Sequence, residues 1–304
     1  MVETFYLDAI LRASVIAIMS TGLTLIYMTT KVPNFAHGSI LTVGAYIAYT
    51  LASFMKVSPY VSAPLAFLIG AGVSLAIYRL VLRPLRKHGS PIVSVMIATL
   101  AIDIAFVGVF GTYSDYLANV FRLIGTKSFI LISYDFSFFG LQHYGAAIVF
   151  PILTLSMVGL LYLGMTRTRF GIAMRASVEN PDLASVLGVS VERVYSFSWL
   201  LAGGLGAMGG ALATLHVAGT PDFGSKLIVA IFAASVLGGF FSIYGAVLGG
   251  VIVGGGEVLS VNYLAPVVGS WVTQWIEGVP LIMMAVALLI IPKGLTSIKL
   301  RRRR

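Results

Sequence analysis

The sequence predicts an all-α membrane protein, a polytopic helix bundle of about 8–10 transmembrane spans, from three observations. First, of 304 residues 58% are hydrophobic and 10% charged, with a mean hydropathy of +0.97, which leaves too little polar surface to coat a soluble globule. Second, the apolar residues fall in nine runs close to membrane-crossing length. A hydrocarbon core of roughly 30 Å needs about 20 helical residues. In lipid the backbone must satisfy its own hydrogen bonds, so runs this continuous form helices rather than barrel strands. Third, lysine and arginine collect in alternate connections, as the charge rule for membrane orientation requires.

The first run, near 5–28, contains Asp8 and Arg12 but has no basic residue before it and no convincing small-residue cleavage site after it. It is expected to stay in the mature protein. The second, near 36–54, follows Pro33 and Asn34, which suit a helix start at or just within the membrane boundary with Asn34 as its cap. Because a helix N-terminus attracts a carboxylate, Asn34, His37 and Gly38 are candidates to lie beside a translocation path. The plainer expectation is a cap and tight turn at the interface. The third and fourth runs, near 60–78 and 91–113, flank Arg79, Arg83, Arg86 and Lys87.

Asp103 sits in the middle of the fourth run. A mid-bilayer charge costs about 2.5–3.5 kcal/mol on insertion scales, so it must face protein or water. It is the leading polar candidate for the path, with a structural hydrogen bond between helices as the alternative. The connection from Ser114 to His143 mixes aromatics with Asp115, Arg122, Lys127 and Asp135; it reads as an ordered interfacial loop or as a surface for a delivery protein.

The fifth run, near 144–164, leads into a polar insert, Thr166 to Val194. Within it Asn180, Pro181 and Asp182 make an N-cap, a proline at the first helical position and an acid in the first turn. That helix is expected to run from Pro181 to Leu187 and to stop at Gly188. Gly171, Ala173, Met174, Arg175 and Ala176 form a second short segment before it. The pair reads either as a docking knob or as an ordinary solvated loop.

The sixth run, near 194–216, and the seventh and eighth, near 227–242 and 244–261, are rich in glycine, and the last two of these are expected to be short. Glycines four apart, such as Gly206 and Gly210 or Gly245 and Gly249, favour close helix packing over a substrate role. Tyr244 to Gly255 loosely echoes His37 to Ala48, as an internal repeat would. Glu257 and Glu277 lie near run ends, where solvation accounts for them. The ninth run, near 273–291, precedes the basic tail Arg301 to Arg304, which suits anionic membrane lipid.

Fifteen of the 20 Lys and Arg residues fall in one set of connections, against Lys56, Arg122, Lys127 and Lys226 in the other. That set is therefore expected to be cytoplasmic, with the N-terminus outside and the C-terminus inside. The net charge of +9 is thus accounted for by membrane orientation, and nucleic acid is not an expected partner. Without cysteine there is neither a disulfide framework nor a thiolate metal site. No HExxH or Gly-x-Ser-x-Gly pattern occurs, and without a Gly-Lys dipeptide there is no P-loop. The chain is read as no enzyme, and any ATP that drives it is bound by another polypeptide.

The pattern Gly171, Ala173, Arg175, Ala176, Asn180, Ala184, Leu187, Gly188 and Arg193 resembles the coupling segment of ABC-importer permeases, specifically the branched-chain amino acid (LivH-type) family. Gly22 to Tyr49, with Asn34, Phe35, Ala36, His37 and Gly38 at its heart, agrees with that family. Members often carry an acid directly after that glycine, where this chain has Ser39. The resemblance implies one permease domain over 1–304, with a cytoplasmic coupling segment at 165–193, in the cell inner membrane. It implies import of branched-chain or related small amino acids with two ATPase subunits, a second, LivM-type permease and an extracytoplasmic substrate-binding protein. No cofactor is expected in this chain. Gly171, Arg175, Ala176, Asn180, Ala184, Leu187 and Gly188 are the expected coupling residues. The alternative is an ion-gradient-driven secondary transporter, which should show a ladder of intramembrane acids where this sequence offers Asp103.

Overall fold

The computed structural model describes residues 2–137, 144–291 and 294–296. The tail arginines, with His143, Lys293 and Lys299, lie outside the described residues. Twelve α-helices follow one another, and no named strand occurs among the described residues. They are α1 (Val2–Thr30), α2 (His37–Met55), α3 (Pro59–Ile77), α4 (Arg83–Lys87), α5 (Ile92–Phe121), α6 (Ala146–Arg167), α7 (Arg169–Glu179), α8 (Pro181–Val186), α9 (Val191–Ala213), α10 (Phe223–Gly238), α11 (Ile243–Val268) and α12 (Gly278–Ile290).

Helix ends follow the local chemistry. Lys31, Lys56 and Arg122 take left-handed conformations after α1, α2 and α5, and Gly239 and Gly269 take positive φ after α10 and α11. Ser58 caps α3 through the amide of Tyr60, with Pro59 at the first turn. A π-helical turn at Tyr78–Leu82 joins α3 to α4, so one span runs from Pro59 to Lys87.

Seven helices are long and apolar enough to cross a membrane, and α10 and α12 are shorter apolar helices. All nine runs read from the sequence are helical, in the expected order. The expected lengths of the last ones need correction. The eighth is a 26-residue helix, because its glycines let it lie directly on α1: a Cβ on Gly250 would stand 2.3 Å from the Cα of Ala17. The short ones are the seventh, with 16 residues, and the ninth, with 13. The ninth is shortened because Ser270–Trp275 winds as a 3₁₀ turn.

The core is built on α1. Within an apolar 18-residue stretch of this helix 89% of residues are buried, against 17% for α5 and 22% for α6, which lie at the periphery. The glycines of α2 and α9 pack backbone to backbone: a Cβ on Gly44 would fall 1.7 Å from the carbonyl oxygen of Ala207, and one on Gly210 would fall 2.0 Å from that of Leu41.

The two ends of the bundle are distinct. At one, the Tyr27 ring packs tilted against Phe240, Gly294 meets Gly239, Arg83 pairs with Glu192 at 2.9 Å and Arg86 lies over the Tyr195 ring at 4.6 Å. Helices α7 and α8 lie at this end, with Met174 in the same apolar cluster as Leu25, Met28 and Tyr195. At the other end Phe5 and Tyr6 meet Tyr263.

The connection after α5 is ordered over its described part. Phe129 exchanges backbone hydrogen bonds with Gly219. The buried Asp135 accepts from the Tyr60 hydroxyl at 2.6 Å, from the amide of Ala146 at 3.0 Å and pairs with His216 at 2.9 Å. One carboxylate thus ties the starts of α3 and α6 to the chain after α9.

Candidate functional site

Helix α2 begins at half depth, and this corrects the expectation of a capped turn at the interface. Its first residue, His37, is buried, and Nε2 lies 3.1 Å from the carbonyl oxygen of Met19, midway along α1. The ring occupies space that a Cβ on Gly22 or Gly206 would need, at 3.1 and 2.9 Å. Asn34 is no cap: the N-cap is Ala36, with no side-chain bond. Asn34 is instead fully buried, with neither Nδ2 nor Oδ1 partnered among the described residues, and Nδ1 of His37 is likewise unpartnered. The next residue, Phe35, gives its amide to the Thr99 hydroxyl of α5 at 3.2 Å.

A second helix start meets this one. The Gly224 amide, in the first turn of α10, donates to the Thr42 hydroxyl at 2.9 Å. A Cβ on Gly224 would fall 1.6 Å from the Gly38 carbonyl oxygen, so the contact is open only to glycine. Asp103 closes the junction: Ser39 donates to Oδ1 at 2.5 Å and Ser225 to Oδ2 at 2.7 Å. Asp103 is buried and has no ion pair among the described residues. Two charge-assisted hydrogen bonds and the positive ends of two helices offset its desolvation. The serine that stands where the resembled family often has an acid thus contacts an acid supplied by α5. His37, Gly38 and Asp103 come together here, with Asn34 one turn before; Ser39, Ser225 and Thr99 join them unforeseen, from three separate segments.

The polar insert folds as two capped helices. Thr168 accepts from the Gly171 amide at 3.1 Å, and Asn180 from the Leu183 amide at 3.0 Å, with Pro181 and Asp182 in the first turn. Helix α8 ends at Val186, one residue earlier than expected, and Gly188 turns the chain at φ 84°. Gly171 crosses the end of α6 so closely that a Cβ would stand 2.0 Å from the Met165 carbonyl oxygen. Arg175 donates to that same carbonyl, fastening α7 to α6. Ala176 is half-buried and Ala184 is buried. Leu183, Val186 and Leu187 are 57%, 83% and 74% exposed, so an apolar ridge stands on the knob with Ile172 exposed on α7. Of these only Leu187 was singled out from sequence. The spacing of 183, 186 and 187 carries the signal, but a six-residue helix is too short for its period to stand out.

Glu257 also needs correction. It is not solvated at a run end; its side chain is 1% exposed and held bidentate by Arg12, Nε to Oε2 at 3.0 Å and Nη2 to Oε1 at 2.7 Å. Glu277, before α12, is exposed as expected. Outside the spans, burial raises the Asp222 carboxyl, but Thr220 and Lys226 outweigh it and hold it below its ordinary value. Burial and the nearby Asp8 push the Tyr144 phenol up.

A bundle of long apolar helices, with a polar helix start inside it and a capped knob at its basic end, has the architecture of a polytopic membrane permease. The family described as the branched-chain amino acid transport system, permease component, matches residues 5–288, and the chain belongs to it. A probable branched-chain amino acid transport permease protein LivH of Methanocaldococcus jannaschii is 41% identical over 297 residues, covering 97% of this chain and 93% of the relative. The high-affinity LivH permease of Salmonella typhimurium is 26% identical over 302 residues, 95% of this chain and 93% of its own. A nucleoside ABC transporter permease protein, NupC of Lactococcus lactis, is 27% identical over 234 residues, 73% of this chain and 71% of its own. No solved structure matches.

Proposed function

We propose that this chain is the membrane-spanning permease subunit of an ABC importer for branched-chain or related small amino acids. The family match over residues 5–288 carries the reading. The chain is a transport protein rather than an enzyme, and it works with ATPase and substrate-binding partners. The finer composition follows the resemblance: two ATPase subunits that bind the ATP, a second, LivM-type permease and an extracytoplasmic binding protein, in the cell inner membrane. The basic end faces the cytoplasm, with the N-terminus outside and the C-terminus inside; the clustering of Lys31, Arg83, Arg86 and the polar insert at one end supports this.

In this reading the exposed ridge of α8 receives the ATPase, and Arg175 and the crossing at Gly171 pass its movement to α6. The junction of Asn34, His37, Gly38 and Asp103 borders the path. Coupling acts only through contacts that differ between outward and inward states. Uptake into proteoliposomes tests the whole: it should require ATP and survive a protonophore, the reverse of what a gradient-driven carrier gives. Arg175→Glu should stay in the membrane but lose substrate-stimulated ATP hydrolysis; unchanged stimulation would remove Arg175 from the coupling route.

A further inference from the structure

At the end opposite α7 and α8 the bundle holds a partly open cavity of about 470 Å³, between the first half of α1, the start of α10, the far part of α11 and the approach to α12. Leu11, Val15, Phe150 and Leu227 give it an apolar wall, while Asp8, Arg12, Lys226 and Glu277 bring charge to it. The charges differ in kind. Each base already has a carboxylate of its own, Glu257 for Arg12 and Asp222 for Lys226. Asp8 accepts from the Tyr144 hydroxyl and faces His216, which also lines the cavity, but neither Asp8 nor Glu277 is paired with a lysine or arginine among the described residues. Two carboxylates at the cavity thus lack a lysine or arginine of their own, which suits an ammonium group.

Arg12 supplies the complement. Its bidentate bond to Glu257 uses Nε and one hydrogen of Nη2 and leaves the remaining guanidinium hydrogens free of that partner. The same bond fixes the plane of the guanidinium, so little side-chain freedom is lost when it takes a second carboxylate. A molecule with an ammonium, a carboxylate and an aliphatic body meets all three surfaces. We propose that this cavity is a holding site for a free aliphatic α-amino acid, with its ammonium at Asp8 and Glu277, its carboxylate on Arg12 and its side chain against Leu11 and Leu227. The site rests on the amino acid permease reading and shares no lining residue with the Asp103 junction. A zwitterionic lipid headgroup shares the two charges, so the test separates the two sources.

The chain has no cysteine, which makes single-cysteine labelling clean. Val258→Cys places a thiol in the cavity wall, and Val267→Cys, on the exposed far end of α11, serves as control. The assembled transporter is held in discs of phosphatidylglycerol alone and labelled with a cationic methanethiosulfonate. L-leucine should slow labelling of Val258→Cys about tenfold and leave Val267→Cys unchanged. Isopentylamine and 4-methylpentanoate, each lacking one charged group, should protect far less, and Asp8→Asn with Glu277→Gln should abolish protection by leucine. Three results would overturn the site: no protection at Val258→Cys, equal protection at both thiols, or protection that survives loss of both acids. Slowing by phosphatidylethanolamine discs without leucine would assign the cavity to lipid and overturn it too. Uptake of labelled leucine is measured in parallel. Uptake without protection removes the site and leaves the permease reading standing; absence of uptake tells against that reading itself.

Discussion

Replacing Arg12 with methionine should unfold this protein far more readily than replacing its partner. The change strands the Glu257 carboxylate, whose side chain is 1% exposed. Breaking a buried pair in this way costs about 3–5 kcal/mol, more than a hundredfold in the folded fraction. Glu257→Gln strands Arg12 instead, but that side chain is 15% exposed and faces a cavity, and the amide still offers one acceptor. Its cost should be nearer 1–3 kcal/mol. Arg12→Met with Glu257→Gln removes both charges, so no unpaired ion is left buried, and its cost should fall about 1–3 kcal/mol short of the sum of the two single changes. Titration of the purified chain with SDS in mixed micelles, followed by tryptophan fluorescence, measures all four proteins as a double-mutant cycle. Equal costs for the two single changes, or a double change whose cost is their sum, would refute the pairing argument.

Three further outcomes follow from the geometry. Asn34→Ala removes two buried polar atoms without partners, so stability should hold or rise by about 1 kcal/mol while uptake falls; parallel losses of abundance and uptake would leave Asn34 a purely structural part. Leu187→Asp, on the exposed ridge, should leave membrane abundance unchanged but reduce ATPase copurification tenfold or more, since burying a leucine contributes about 1.5–3 kcal/mol; undiminished copurification would move the docking face elsewhere. Gly224→Ala drives a methyl into the Gly38 carbonyl and should cost about 1–3 kcal/mol in the same SDS titration, whereas Gly72→Ala, with nothing within 4 Å, should be neutral; equal effects would contradict the close approach.

The fold was largely legible because a lipid-facing helix must be apolar over a fixed length, and nine such runs cannot be hidden. The Asn180 cap and the Gly188 stop were legible for a similar reason, since each depends on residues next to it in the chain. Depth was not. Hydropathy does not distinguish a helix that begins at the surface from one that begins at half height, and only the contact of His37 with Met19 reveals which α2 is. Partnerships across the chain were equally silent: Arg12 and Glu257 are 245 residues apart, and Ser39 and Ser225 reach Asp103 from 64 and 122 residues away. Glu257 looks solvated in the sequence for that reason, since the arginine that holds it lies in the first helix.

The π turn at Tyr78–Leu82 has a consequence for register. Such a turn houses one surplus residue, and in an α-helix one residue is worth about 100° of azimuth. Shortening that stretch by a single residue would let the helix close regularly and rotate everything after it by that angle. Arg83 and Arg86 would then swing off α9, parting from Glu192 and Tyr195. The surplus residue thus acts as an indexing tooth that sets which way the arginines of α4 face.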